Sequence, residues 1–398
     1  IIRSYLSYSD AACSYEYINR MKSTFLLLRK YRKQMDRQIL SKINTYIKQE
    51  RLVLNEETVC TYYYENNYLE ISFENGQCSY DKVGACTMCD YGIASSKKDV
   101  SIFIEEMLRI YNLFSKVDSL MLCTNGSFLD DNQLSLDFQK SIMETASKLS
   151  CKKIYIETHY STITYSKLEL IKILFKNKIV KIELGLETIN FFYQEYILNK
   201  KISVTHLKEA IVMIRSFGYI PFVNLLLGLP FLDERQQVND ILASIDWCIH
   251  NRVEIVLFPI NIKRYTLIYY LYKNGLYSPI SHWEMIYVLS IIDETYLSKI
   301  DIAYWGNRDD SNNNEITIFP STCPKCRNLI HNFYIKYLAT GNSGERKKLI
   351  NDLLESHQCD CMKTFQNKLV KSRSNDFDIK NRIEKAYAQL LHEFNERI

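Results

Sequence analysis

From Tyr68 onward, short runs rich in β-branched and aromatic residues alternate with stretches whose apolar residues recur at helical spacing. The run Tyr68-Leu-Glu-Ile-Ser-Phe73 alternates apolar and polar positions, as a half-buried strand does. The pattern predicts strands near 69–73, 118–123, 152–157, 179–184, 220–226 and 253–258. Between them it predicts helices near 98–115, 134–149, 164–176, 203–217 and 233–250. Strand followed by helix, repeated, is the pattern of βα units and a parallel sheet. Six such strands predict an α/β fold, a partial (β/α)6 barrel. In parallel sheets ligands collect at the carboxyl ends of the strands, so the residues just past each strand are where chemistry is to be sought.

The flanks read differently. Residues 1–60 form a basic, helical N-terminal extension, with apolar residues at helical spacing through Phe25-Leu-Leu-Leu28 and Ile39, Ile43 and Ile47. Its cluster Arg29-Lys-Tyr-Arg-Lys33 reads either as a solvated helix face or as a contact surface for a phosphate-bearing molecule. The barrel is expected over 61–280. A capping segment follows over 281–398, opening with a helix near 281–295 and a candidate strand Ile300–Tyr304.

Composition narrows the class without naming a partner. The chain has 398 residues, 47% hydrophobic and 24% charged, an ordinary globular balance. Its formal charge of +4 is too small to argue for nucleic acid and does not exclude it. There is no signal-peptide pattern and no run of about 18 apolar residues that could span a bilayer, so a cytoplasmic protein without a membrane partner is expected. Twelve cysteines in such a chain point to metal or redox chemistry rather than a disulfide framework.

Three of those cysteines, Cys78, Cys86 and Cys89, stand in a C-x7-C-x2-C spacing just after the first strand. Three thiolates are too few to close a tetrahedral zinc site, and too few for the usual four-cysteine iron–sulfur ligation, so one metal position stays open. On spacing alone, zinc binding and unligated core thiols remain alternatives. The stretch CSYDKVGACTMCDYG, Cys78 to Gly92, resembles the cluster loop of radical S-adenosylmethionine (SAM) enzymes. Together with the strand-end motifs below, it is most similar to the archaeosine-forming radical SAM lyases, relatives of the elongator-type radical SAM proteins. The likeness covers roughly residues 60 to 365.

The resemblance implies that Cys78, Cys86 and Cys89 hold a [4Fe-4S] cluster whose open iron takes SAM, with Tyr91 and Gly92 beside it. Past the second strand, Asn125, Gly126 and Ser127 resemble the family's GSF turn; glycine there lets the backbone approach a ligand closely. Past the third, Glu157 resembles a carboxylate at the barrel mouth, and His159 stands where the family commonly has arginine. The fourth strand, Lys181-Ile-Glu-Leu-Gly-Leu-Glu-Thr188, resembles the family's GLET strand. Glu183 and Glu187, four apart, are expected on one face, meeting SAM or pairing with a lysine such as Lys153 or Lys181. Gly228 in the fifth strand's LLLGLPF and Asn261 past the sixth complete the expected cofactor contacts. His159, Lys263 and Arg264 are the substrate candidates, and the two basic residues at the rim read either as holding a carboxylate or phosphate or as a solvated rim pair.

Downstream, Cys323-Pro-Lys-Cys326 and Cys359-Asp-Cys361 are two short-spaced pairs, separated by 32 residues. Each pair can reach one metal from one turn, as a closed four-thiolate site needs. Zinc is the expected metal; an auxiliary iron–sulfur cluster and uncoordinated thiols are the alternatives. Cys13, Cys60, Cys123, Cys151 and Cys248 read as core or surface thiols.

The expected function is reductive cleavage of SAM and hydrogen abstraction from an amino-acid-derived small molecule or a modified nucleobase, with C–N bond cleavage among the outcomes. A reducing partner such as a flavodoxin or ferredoxin is implied. The archaeosine-type alternative is a lyase that acts on a lysine adduct of a deazaguanine base in transfer RNA (tRNA). From another class, a cluster-bearing electron-transfer or binding protein remains open.

Overall fold

A computed structural model of the chain describes residues 59–75, 78, 86–89, 98–200, 202–263, 266–303, 316–356 and 359–372, with a few positions between 379 and 389. The expected N-terminal helices, Tyr91, Gly92, Arg264 and Cys13 lie outside the described residues.

Eight strands form one sheet in the order β1-β2-β3-β4-β5-β6-β7-β9, the half-barrel that the alternating pattern predicts. They are β1 (Cys60–Glu65), β2 (Tyr68–Phe73), β3 (Ser119–Thr124), β4 (Lys153–Thr158), β5 (Ile179–Glu187), β6 (Ile220–Leu227), β7 (Glu254–Pro259) and β9 (Ile300–Ile302). From β2 onward every neighbouring pair is parallel. Helices α1 (Val100–Tyr111), α2 (Leu136–Ser147), α3 (Tyr165–Leu174), α4 (Phe191–Tyr196), α5 (Val204–Ser216) and α6 (Glu234–His250) make the crossovers. A two-stranded sheet pairs β8 (Ile262–Lys263) with β10 (Ile316–Ile318).

Side chains alternate across each strand, so the sheet has two unlike faces. One is apolar and packs on the helices: Leu69, Ile71 and Phe73 are fully buried, as are Ile154, Ile156, Ile182 and Leu184. Phe73 meets Phe103 of α1 and Phe138 of α2 edge to face. The other face carries Tyr68, Glu70, Tyr155, Glu157, Lys181, Glu183, Asn224 and Glu254. At its amino-terminal end Tyr155 meets both Tyr68 and Phe222 with centroids 5.6 Å apart. There Lys181 pairs with Glu254 at 2.6 Å. Polar groups thus lie inside the half-barrel, where the open ends of the strands place ligands.

Helix starts are written in the chain. Asp99, Ser135 and Ser203 accept from backbone amides as N-caps, and Asp233 with Gln236 closes a capping box on α6. Two elements differ from the sequence expectation. The first is β1, which pairs antiparallel with β2 through a two-residue turn. Asn66 and Asn67 both take positive φ, 50° and 61°, the conformation such a hairpin needs. The second is β9, which lies past residue 280 yet extends the barrel sheet beside β7.

The C-terminal helices are α7 (Leu267–Lys273), α8 (His282–Ile291), α9 (Pro324–Ala339), α10 (Ser343–Ser356) and α11 (Asp360–Lys371). Trp283, Met285 and Tyr337 join the same apolar core as the barrel. Arg346, with a side chain 3% exposed, fastens α10 to the sheet edge. It donates to the carbonyls of Leu297, Ile300, Tyr337 and Thr340 and pairs with Asp301 at 2.8 Å. A buried guanidinium that donates from all three of its nitrogens is a structural clamp.

Candidate functional site

Of the three-cysteine stretch, Cys78 and residues 86–89 are described, and they follow β2. Cys86 is buried, and Cys78 and Cys89 are half-buried. Gly126, in the turn after β3, faces Cys78: a Cβ built on it would stand 3.3 Å from the Cys78 Cα and would collide with the Gln133 amide oxygen. That oxygen accepts from the Ser127 amide at 2.9 Å. The turn then docks on the end of β4, where the Ser127 hydroxyl accepts from the His159 amide at 3.0 Å and the Phe128 amide donates to Glu157 O at 3.1 Å. Asn125 reaches back to Glu74 at 2.6 Å. Asn125, Gly126 and Ser127 thus stand together at the mouth, beside Cys78.

Thr87, between two of the cysteines, fastens the loop elsewhere. Its amide donates to Leu198 O at 3.0 Å and its hydroxyl to Ile197 O at 2.8 Å. It accepts from the Ile268 amide at 3.2 Å.

The interior carboxylates gather on β4 and β5. Glu157 and Glu183 are direct partners across β4 and β5. Burial, then Glu70, pushes the Glu157 carboxyl up to about 8, against the pull of Lys200 and Lys263. Burial and Glu157 hold Glu183 well above the usual carboxylate range, although Asn224 hydrogen-bonds it. Two carboxyls side by side in a low-dielectric site do not both ionise readily, so this pair retains protons at neutral pH.

Glu187 reaches its place by a different route from the simple four-residue repeat. The register shifts between Gly185 and Glu187, and Glu187 takes φ +67°. Its carboxylate forms an ion pair with Lys200, both largely buried. The partner lysine is therefore Lys200, which sequence reasoning missed; Lys181, named as a candidate, pairs with Glu254 instead. Lys200 follows α4 in a loop, where no strand or helix period marks its direction. Burial opposes its charge, but Glu187 first, then Cys86, raise its pKa above the ordinary lysine range.

Of the substrate candidates, His159 caps the short turn Tyr160–Thr162 through Nδ1, with the Ser161 hydroxyl 2.7 Å away. Burial, assisted by Lys200, lowers its pKa to about 4, so the ring is neutral at pH 7. Lys263 lies in β8, close enough to Glu157 to act on its charge. Gly228 takes φ +98°, and a Cβ on it would meet Ile280 at 2.8 Å. Its carbonyl accepts from the Tyr277 hydroxyl at 2.8 Å. Asn261 Oδ1 and Asn224 Oδ1 are buried acceptors without a hydrogen-bond partner. Orphaned acceptors at a barrel mouth fit a ligand that carries donors, as the amino and hydroxyl groups of SAM do.

A second centre forms away from the mouth. Cys323, Cys326, Cys359 and Cys361 bring all four sulfurs within 4.8 Å of one another. Cys323 lies 3.5 Å from Cys326 and 3.4 Å from Cys359, and Cys326 lies 3.5 Å from Cys361. Four thiolates at about 2.3 Å from one tetrahedral ion stand about 3.8 Å apart; a cubane, with an iron under each thiolate, spreads them further. The spacing therefore fits a single ion. Cys323 and Cys359 are the N-caps of α9 and α11. The indole N–H of the buried Trp283 donates to the Cys361 sulfur at 3.1 Å. Cys60, Cys123, Cys151 and Cys248 are buried core thiols.

No known family model matches the chain. Archaeosine synthase subunit beta of Methanosarcina acetivorans is 26% identical to it over 226 residues, 56% of this chain and 65% of that protein. The protein of the same description from Thermococcus kodakarensis is 26% identical over 222 residues, 53% of this chain and 68% of that one. The chain thus spans less than two thirds of the length of the Methanosarcina relative. Among solved structures, a radical SAM methyltransferase from Kitasatospora setae aligns at a TM-score of 0.42 and 10% identity, covering 71% of this chain and 60% of that one. The similarity to archaeosine synthase beta subunits agrees with the resemblance carried by the three-cysteine loop and the strand-end motifs. No helix among the described residues is long and apolar enough to cross a membrane.

Proposed function

We propose that this chain is a radical SAM enzyme that abstracts hydrogen from an amino-acid-derived small molecule or a modified nucleobase, with C–N cleavage as the outcome. The observation that carries this reading is Cys78 set against the Gly126 turn, past the carboxyl end of β3 in a parallel half-barrel. Cys78, Cys86 and Cys89 would hold a [4Fe-4S] cluster. Cluster and SAM together would supply a one-electron reduction that yields a hydrogen-abstracting 5′-deoxyadenosyl radical.

The protein's own residues have three tasks. The turn at 125–127 and the acceptors Asn224 and Asn261 orient the cofactor. Glu157 and Glu183, which burial holds protonated, offer hydrogen bonds to a polar substrate from the inner face of β4 and β5. The third task is to keep out water and stray hydrogen donors, which would quench the reaction. The four-cysteine centre would hold zinc, closed and without an open position, and would fasten α9 and α11 together.

The beta-subunit relatives favour a second, narrower reading within the same class: a lyase of archaeosine type acting on a modified base in tRNA. The test is transfer of label. The reconstituted protein is given candidate substrates deuterated at the carbon next to nitrogen, free or in tRNA. Deuterium in 5′-deoxyadenosine from one of them supports the reading and names the substrate; label from tRNA-borne base alone selects the narrower one. SAM cleavage with no label from any amine-bearing candidate would overturn the substrate class.

A further inference from the structure

We infer that Lys200 and Glu187 form one charge unit that sets the reduction potential of a cluster held by Cys78, Cys86 and Cys89. The inference rests on the reading of that loop given above.

Three independent features build the unit. The pair itself is buried, with side chains 18% and 7% exposed. Room for it is made by Gly185, where a Cβ would stand 2.5 Å from Lys200 Nζ and 2.6 Å from Glu187 Oε1. A Cβ at 185 would require both side-chain ends to shift. The segment that carries Lys200 is also bonded to the cluster loop, because Thr87 binds both Ile197 and Leu198. Lys200 thus stands two residues from a backbone position bonded to Thr87, the residue next to Cys86, and both thiols act on its charge.

A cluster that accepts one electron gains one negative charge. A buried cation nearby stabilises that reduced state, and salt screens it little. Net charge around a cluster is among the factors that set its potential. Glu187 moderates the effect, since it lies against the same ammonium. The pair has a signature that simple structural support lacks: removing its two charges shifts the potential in opposite directions, and removing both together cancels.

The experiment is a potentiometric titration, without SAM, of the anaerobically reconstituted full chain, followed by electron paramagnetic resonance. Lys200→Met is expected to make the potential more negative by at least a tenfold change in the reduction equilibrium, about 59 mV for one electron. Lys200→Arg should stay near wild type, Glu187→Gln should shift positive, and Lys200→Met with Glu187→Gln should return most of the way. If Lys200→Met does not fold, the positive shift of Glu187→Gln still decides. Unmoved potentials, or shifts of the same sign in both single variants, would overturn the inference while leaving the cluster reading standing. Wild-type protein that takes up no iron would instead overturn the cluster reading and this one with it.

Discussion

Asp240 shows how one buried group shapes the protein's response to pH. It lies on α6, 8% exposed, and accepts from the Thr188 hydroxyl at 2.8 Å. Burial pushes its carboxyl up to about 7, with that hydrogen bond pulling the other way. Its folded pKa lies above the unfolded value of about 3.9, so the folded state binds the extra proton. Stability from this group is full below pH 4 and is lost as pH rises through 7. Asp240→Asn should therefore gain on wild type between pH 4 and 7.5 by up to about 4 kcal/mol, at 1.36 per unit. Thermal melts at the two pH values check this; an equal offset at both would mean that folding does not raise the Asp240 pKa. At this scale the sequence was legible where a residue type has one use, as at Gly126. Lys200 was not legible, because a lysine in a loop shows no period and its partner depends on a bulge at Glu187.

At the scale of elements, the parallel strands were legible because each is a short β-branched run followed by a capped amphipathic helix. The hairpin strand β1 was missed although its turn residues, Asn66 and Asn67, suit positive φ. The four-cysteine centre was legible as two pairs, but the sulfur spacing that fits one ion belongs to the fold. Trp283, from a third helix, was invisible as a contributor. Protein lacking Cys78, Cys86 and Cys89 should hold about one zinc and almost no iron. In the same background, Trp283→Phe should weaken zinc binding about 10-fold, within the range of lost outer contacts. Metal analysis and chelator competition measure both; substantial iron with sulfide would replace zinc by a second cluster.

Across the whole molecule, the polar interior of the half-barrel is closed at one end and dressed for ligands at the other. At the closed end Lys181, Glu254 and Lys299 form a charge network, and Arg346 ties the C-terminal helices to β9. At the open end the three-cysteine loop, the Gly126 turn, Glu187 and Lys200 converge. On the proposed function, this layout would put the cluster at the mouth and leave the interior for substrate. The most direct test is reductive SAM cleavage by anaerobically reconstituted protein with dithionite, comparing wild type with Cys86→Ala. Wild type, with about four irons per chain, should form 5′-deoxyadenosine, and Cys86→Ala should form none. Normal cleavage by Cys86→Ala, or no 5′-deoxyadenosine from iron-replete wild type, would contradict the assignment.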